Sequence, residues 1–157
     1  MFVIIGVSGC GKTTIGKLLS KKTGIPFYDA DNFHSDENIS KMKNNIPLSD
    51  KDRMPWLETL SVKLVEWEEN GGGILACSAL KESYREILSS KTTAIFWIYL
   101  SGTFEFIEQR LKSRVNHYMK AALLKSQFET LEVPPYGLHI NIEDRPENIP
   151  NTLLLNL

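Results

Sequence analysis

Five apolar stretches along the chain have the length and composition of buried β-strands. They run over Phe2 to Gly6, Pro26 to Tyr28, Ile74 to Cys77, Ala94 to Leu100 and, more weakly, Leu138 to Ile142. In the first four, apolar residues follow one another without alternating with polar ones. Strands of a parallel sheet have this pattern because helices cover both of their faces. The sequence therefore predicts a parallel β-sheet.

Between these stretches, apolar residues recur every three or four positions, as on one face of an α-helix. The first face ends at Gly24 and the last at Pro134 and Pro135, residues that commonly stop a helix. Strands that alternate with helices predict a doubly wound α/β fold, and residues 1–157 are interpreted as one domain. The four helical faces consist of Ile15, Leu18 and Leu19; Trp56, Leu57, Leu60, Leu64 and Trp67; Phe104, Ile107 and Leu111; and Leu123, Leu124, Phe128 and Leu131.

Composition and charge narrow the class of protein. The 157 residues are 42% hydrophobic and 24% charged, with a formal net charge of -1. This balance indicates a globular chain and argues against a basic surface that follows nucleic acid. The apolar runs fall far short of the roughly 20 residues that a membrane-spanning helix needs. Because Cys10 and Cys77 are far apart and the apolar start has no basic leader, we expect a cytoplasmic protein without membrane or nucleic-acid partners.

A glycine-rich segment follows the first predicted strand. The stretch GVSGCGKT fits the pattern G-x-x-x-x-G-K-[ST] and precedes a helix expected over Lys12 to Thr23. Glycines let backbone N–H groups turn inward and cradle phosphate oxygens at the positive end of the helix. A tight turn that merely uses glycine is disfavoured by the Lys-Thr ending and by both flanks. The residues assigned to ATP are Gly6, Val7, Ser8, Gly9, Cys10, Gly11, Lys12, Thr13 and Thr14.

Three residues of this segment have separate expectations. Lys12 is expected to reach the β- and γ-phosphates, and the Thr13 hydroxyl is expected to bind Mg²⁺. The thiol of Cys10 could be activated by the helix end and by Lys12. A small residue tolerated at a variable position is the simpler interpretation of Cys10.

Two aspartates close the second predicted strand. In an extended chain, Asp29 and Asp31 would point the same way at the carboxyl edge of the sheet, where ligands bind in α/β folds. One could orient Mg²⁺ through water while the other accepts a hydroxyl proton. Each could instead cap the following helix or make a turn.

Basic residues further along the chain could bind an anionic substrate. Ser49 and Asp52 are spaced as a helix-capping pair, which places Arg53 in the first turn, where a guanidinium can hold a carboxylate. Lys81 and Arg85 are spaced i and i+4 on the helix expected after the third strand. A surface ion pair and solvated surface charges are the alternatives.

A basic cluster follows the helix that contains Leu111. It consists of Arg110, Arg114, His117 and Lys120, and the stretch SRVNHYMK around it lacks apolar periodicity. We interpret residues 113–122 as a mobile lid whose arginines close over the triphosphate and neutralise its charge. An ordinary basic helix end is the alternative.

Seven runs of the sequence resemble those of one enzyme family. In order, GVSGCGKTT, FYDADNFH, NISKMKNNIPLSDKDRMPWL, CSALKESYREIL, IYLSGTFEFIEQRL, NHYMK and LLKSQFETLE resemble the gluconate kinases, which are small P-loop kinases. The resemblance implies transfer of the γ-phosphoryl group of ATP to the 6-hydroxyl of D-gluconate, with Mg²⁺. It also implies a five-stranded parallel sheet with helices on both faces, a mobile lid and often a homodimer.

The resemblance further implies roles for individual residues. Asp31 becomes the base beside the accepting hydroxyl, which leaves Asp29 for Mg²⁺ through water, and Arg53 holds the substrate carboxylate. The catalytic set is then Lys12, Asp31 and Arg114, the last of which belongs to the lid together with His117. The substrate pocket is assigned to Asp31, His34, Arg53, Lys81, Arg85, His117 and Gln127.

Another small-molecule P-loop kinase, such as shikimate kinase, and a nucleotide-binding regulator stay open from the sequence. Shikimate kinase acts on another hydroxylated carboxylic acid, although SDKDRMPWL and CSALK argue against it. A regulator that binds a nucleotide only as a signal is disfavoured because Cys77 and Ser78 end the third strand, where switch GTPases commonly have an aspartate.

Overall fold

Strands and helices alternate along the chain, as the sequence predicts. The computed structural model describes residues 1–113, 121–143 and 149–155. The strands are β1 (Phe2–Ile5), β2 (Phe27–Asp29), β3 (Ile74–Ala76), β4 (Phe96–Ser101) and β5 (Leu138–Asn141). The helices are α1 (Lys12–Thr23), α2 (Asp36–Lys43), α3 (Asp50–Glu69), α4 (Glu82–Leu88), α5 (Phe104–Lys112), α6 (Ala121–Thr130) and α7 (Ile149–Leu155), and a 3-10 turn covers Ala30–Phe33. Within these ranges, no helix is both long and apolar enough to cross a lipid bilayer.

The five strands form one parallel sheet in the order β2-β3-β1-β4-β5. The chain runs from β1 out to β2, returns through β3 and then crosses to β4 on the other side. The segments after β1, β2 and β3 are therefore neighbours at the carboxyl edge, and the N–H of Gly6 donates to the carbonyl of Ser78 at 3.3 Å. The expected doubly wound, five-stranded α/β fold is confirmed, and its edge at β1, β3 and β2 is where a ligand would bind.

Hydrophobic cores cover both faces of the sheet. Ile4 faces a cluster that includes Ile15 and Leu19 of α1, whereas Val3 and Ile5 face a cluster built on α3. The α3 side chains Leu57, Leu60 and Leu64 are fully buried. Each contributes roughly 1.5 to 3 kcal/mol through burial, so α3 is held firmly against the sheet.

The start of α3 is fixed by the predicted capping pair. The Ser49 hydroxyl accepts from the N–H of Asp52, and the Asp52 carboxylate accepts from the N–H of Ser49 at 2.9 Å. This backbone hydrogen bond and the nearby ammonium of Lys41 lower the pKa of Asp52 to about 2. The cap fixes the residue at which the helix begins and therefore the position of Arg53 in its first turn.

Candidate active site

The glycine-rich segment forms a tight loop between β1 and α1. Gly11 precedes α1 in the left-handed region, with φ of 97°, and no side chain among the described residues caps this helix end. A Cβ added to Gly6 would lie 2.7 Å from the sulfur of Cys10 and 2.9 Å from the carbonyl oxygen of Leu100, so only glycine fits there. This is the backbone geometry that the phosphate-loop interpretation requires, because the positive end of α1 is left to an anion.

Lys12 ties the loop together in this structure. Its ammonium donates to the carbonyl oxygens of Gly6 at 2.9 Å and Val7 at 3.0 Å, while the Thr13 side chain beside it is exposed. Cys10 packs under the loop and has no exposed surface. A thiol so enclosed does not meet solvent reagents, which favours the simpler interpretation of Cys10 as a small packing residue.

Two side chains from distant elements contact the loop. Gln127 of α6 accepts from the N–H of Ser8 at 2.8 Å and donates to its hydroxyl at 3.0 Å. Gln127, assigned to the substrate pocket from the sequence, therefore uses its amide on the phosphate loop. The guanidinium of Arg110 lies beside the start of α1, because a Cβ added to Gly11 would be 3.6 Å from its Nη2 atom. The lid residues Arg114, His117 and Lys120 lie outside the residues that the structure describes.

The two aspartates after β2 are not arranged as expected. The prediction of an extended chain through Asp31 is wrong because the 3-10 turn begins at Ala30. Asp29 caps this turn, and its carboxylate accepts from the N–H of Asp31 at 3.0 Å. A polar side chain that satisfies a free N–H at the start of a turn stabilises it, so Asp29 caps this turn through Oδ1.

The pKa of the Asp31 carboxylate is raised above its ordinary value. Partial desolvation by the surrounding protein and the negative charge of Asp29 raise its pKa, while Lys12 opposes this. Because 76% of the Asp31 side chain is exposed, the carboxylate keeps most of its hydration, and the charge of Asp29 contributes more to this shift than desolvation does. The ammonium of Lys12 therefore acts electrostatically on the Asp31 carboxylate, since β1 and β2 both end at the carboxyl edge of the sheet.

His34 lies beneath Asp31 and is enclosed by the protein. Its side chain is 3% exposed, it stacks on Trp56 with ring centroids 4.1 Å apart, and its Nε2 atom is 3.9 Å from Oδ1 of Asp31. The assignment of His34 to direct substrate contact is therefore not met, since so little of its surface is open. The sequence pattern predicts Trp56 only as a core residue of its helix. Nothing in the pattern indicates that the buried Asn38 contacts His34.

Arg53 and Lys81 meet in one polar cluster between α3 and α4. Lys81 donates to both carboxylate oxygens of Asp50 at 3.2 Å, and the Tyr84 hydroxyl donates to the same carboxylate. Arg53 donates through Nη1 to the carbonyl of Leu48 at 2.7 Å and to the Tyr84 hydroxyl at 3.2 Å. Of these two cations, Arg53 thus contacts the tyrosine hydroxyl and Lys81 contacts its carboxylate partner, so Lys81 is already paired with Asp50.

Arg85 has a structural role instead of the predicted substrate contact. Its side chain is 1% exposed, and it donates to the carbonyls of Ala79 at 2.7 Å and Glu132 at 2.7 Å and pairs with Glu82. The guanidinium joins the loop after β3 to the end of α6, which leaves none of its surface for a ligand. Lys81 also lies outside the helix that contains Arg85, because it is the residue that precedes α4.

The burial of His34 predicts a dependence of stability on pH. Burial and the charge of Arg53 lower its pKa to about 4, whereas an unfolded histidine has the ordinary value of 6.5. As pH falls below 6.5, the unfolded chain binds a proton that the folded chain excludes, so stability falls. We expect a loss on the order of 2 kcal/mol between pH 7.5 and pH 5, measured by urea unfolding. The His34→Phe protein should lose clearly less free energy of unfolding over that interval. An equal loss in both proteins would show that His34 is not the group responsible.

The fold and the loop after β1 define a small P-loop kinase. A family model described as shikimate kinase matches residues 8–132. The thermosensitive gluconokinase of Escherichia coli is 44% identical over 134 residues, which cover 85% of this chain and 72% of that protein. The gluconokinase of Arabidopsis thaliana is 41% identical over an alignment of 170 positions, which covers 98% of this chain and 90% of that protein. The chain belongs to the gluconokinases within the shikimate kinase family.

Solved structures agree with this membership. A gluconokinase from Sinorhizobium meliloti is 34% identical, with a TM-score of 0.90, and the match covers 98% of this chain and 89% of that one. A shikimate kinase from Aquifex aeolicus is 20% identical, with a TM-score of 0.56 over 99% of this chain and 94% of that one. The first similarity extends over nearly the whole molecule, and the second shows a shared fold.

Proposed function

We propose that this enzyme transfers the γ-phosphoryl group of ATP to the 6-hydroxyl of D-gluconate. The observation that carries the proposal is the meeting of three parts at one edge of the sheet, in a chain 44% identical to a gluconokinase. These parts are the glycine-rich loop with Lys12, the Asp31 carboxylate, and the cations Arg53 and Lys81. They match a triphosphate, a hydroxyl group and a carboxylate, respectively.

The phosphate loop would bind ATP through its backbone and Lys12. Gly9, Gly11 and the uncapped start of α1 offer N–H groups to phosphate oxygens, and the Lys12 ammonium is already held beside them. The exposed hydroxyl of Thr13, with Asp29 through water, would hold Mg²⁺, which would supply positive charge against the phosphates. The Arg110 guanidinium beside Gly11 adds charge that can stabilise the transferring phosphoryl group.

Asp31 would act as the base. Its carboxylate takes the proton of the 6-hydroxyl as the hydroxyl oxygen forms a bond to the γ-phosphorus. The bond between this phosphorus and the oxygen that bridges to the β-phosphate breaks, and ADP leaves. Phosphoryl transfer of this kind depends on positioning and charge neutralisation, so no covalent enzyme intermediate is required.

Arg53 would hold the carboxylate of gluconate, with Lys81 beside it. Toward residues that the structure describes, Arg53 donates hydrogen bonds only through Nη1, so its Nε and Nη2 remain for a paired contact with a carboxylate. We therefore expect Arg53→Lys to raise the KM for gluconate roughly tenfold or more, since an ammonium cannot make this paired contact. Steady-state kinetics should find the KM for ATP nearly unchanged, and an unchanged KM for gluconate would remove Arg53 from the pocket.

The function is tested by offering different acceptors to one preparation. ADP release is followed with gluconate, shikimate, glucose and no acceptor, and the product is identified by mass spectrometry and by its phosphorylated position. Release that depends on gluconate supports the proposal, and release that depends on shikimate replaces it with the alternative kinase. A folded protein that binds ATP but phosphorylates none of these acceptors would favour a nucleotide-binding regulator.

A homodimer and a cytoplasmic location stay predictions. Light scattering would test the first of them.

A further inference from the structure

His34 is enclosed by two buried neighbours that hold its ring in one orientation. Its ring is nearly parallel to that of Trp56, at an angle of 16°, and the indole N–H of Trp56 donates to the carbonyl of Ala30 at 2.8 Å. On another side, Nδ2 of Asn38 lies 3.3 Å from Nδ1 of His34. Trp56 is 4% and Asn38 5% exposed. A side chain enclosed in this way cannot rotate freely, so its second nitrogen faces a fixed direction.

The hydrogen bonds of Asn38 determine which nitrogen of His34 carries the proton. Nδ2 of Asn38 also lies 2.9 Å from the carbonyl oxygen of Asp52, which can only accept. This atom is therefore the amide nitrogen, and its second hydrogen points to His34. Nδ1 of His34 must accept that hydrogen, so the proton of the neutral ring is on Nε2.

The protonated Nε2 faces the proposed base. It lies 3.9 Å from Oδ1 of Asp31, and the Asp31 side chain is exposed and free to rotate toward it. Distances of this kind often shorten only when the substrate is bound. His34 also borders a cavity whose charged lining side chains are Asp36 and Glu37 of α2 and Lys51 and Asp52 of α3. Asp31 and Arg53 are the other charged groups that act on it.

We propose that His34 is a positioning residue, which donates its Nε2 hydrogen to one oxygen of Asp31 and leaves the other oxygen to the substrate hydroxyl. The proposal rests on the function proposed above and assigns to His34 no contact with the substrate. Asp31 needs such a partner because 76% of its side chain is exposed and no hydrogen bond within the described part of the chain fixes the orientation of its carboxylate. A carboxylate free to rotate would spend much of its time in orientations that cannot accept the proton.

His34 takes no proton itself in this arrangement. Its Nε2 already carries one, and its Nδ1 is occupied by the amide of Asn38. During the reaction the proton moves from the substrate hydroxyl to Asp31, and the imidazole stays neutral. Any side chain that places an N–H donor at the same point should therefore do the same work.

Four single variants and one double variant test the proposal. His34→Phe keeps the stacking on Trp56 and removes the donor, and we expect kcat to fall about 10-fold to 10²-fold while both KM values change less than twofold. His34→Gln should recover most of kcat because its amide can donate. Combined with Asp31→Asn, His34→Phe should reduce kcat less than twofold further, since a positioning residue has no effect once its base is gone. His139→Phe, a change of an exposed histidine on β5, is the matched control and should keep wild-type kinetics.

The possible results separate this proposal from the function on which it rests. If the wild-type protein releases ADP with gluconate but His34→Phe has a normal kcat, or reduces kcat equally with and without Asp31, the positioning role is overturned. A His34→Phe protein that fails to fold, as judged by circular dichroism, shifts the decision to Asn38→Leu. That change removes the donor to Nδ1, and an unchanged kcat there would equally contradict the proposal. A wild-type protein inactive with gluconate overturns the proposed function instead.

Discussion

Replacing Lys12 with alanine is expected to reduce kcat by roughly 10²- to 10³-fold or more. The ammonium lies 2.9 Å from the carbonyl of Gly6 and 3.0 Å from that of Val7, within the loop proposed to bind the phosphates. Negative charge on the phosphates shifts as the γ-phosphoryl group leaves, and a fixed cation lowers the free energy of that transition state. The loop also loses two hydrogen bonds, so we expect the KM for ATP to rise as well.

Lys17→Ala is the matched control for this change. Lys17 lies on the same helix, and its side chain is exposed. Steady-state kinetics should find wild-type values for Lys17→Ala, and thermal unfolding should find both variants folded. Near-normal turnover in a folded Lys12→Ala protein would mean that the loop does not bind the phosphates of the nucleotide.

The second large effect is expected for Asp31→Asn, which should reduce kcat about 10²- to 10⁴-fold and change the KM for gluconate little. The amide has the size of the carboxylate but cannot accept the hydroxyl proton. Because the base acts in the transition state and binds the ground state weakly, the loss belongs in kcat. Asp29 lies close enough to raise the pKa of Asp31, but its carboxylate caps the turn and cannot replace the base.

Asp36→Asn provides the comparison for this variant. Asp36 is an exposed aspartate at the start of α2, and its change should leave kcat and KM near the wild-type values. Initial rates at saturating ATP over a range of gluconate concentrations give both constants for each protein. A variant Asp31→Asn that raises KM alone would make Asp31 a binding residue and not the base.

Features that depend on neighbouring residues could be predicted from the sequence. The strand before the glycine-rich loop, the helix Lys12–Thr23 and the capping pair at the start of α3 are all present. In each of these, the controlling interactions join residues a few positions apart. The parallel sheet also follows from pattern, because uninterrupted apolar strands between helices have few other ways to bury both faces.

The predictions that the structure does not support have a common cause. Each depends on a hydrogen-bonding or stacking partner whose position the sequence pattern does not reveal. The spacing predicts Asp29 and Asp31 as an extended pair, whereas the turn that begins at Ala30 uses Asp29 as its cap. The sequence predicts Arg85 in the substrate pocket, but its guanidinium bonds to Glu132, 47 residues away. The resemblance also places His34 in that pocket, and in the structure its ring stacks against Trp56.

The sequence by itself determined that a glycine-rich loop of the phosphate-binding pattern follows the first strand of a parallel α/β sheet. The spacing of that pattern and the backbone freedom of its glycines depend only on residues that are adjacent in the chain. The tertiary structure alone decided which charged side chains face the open edge of the sheet and which are used inside the protein. Arg53 and Arg85 carry the same group. Toward the residues that the structure describes, Arg53 donates only through Nη1, whereas Arg85 is buried with its donors bonded. The physical reason is that a buried charge must be paired, and those partners come from segments that only folding brings together.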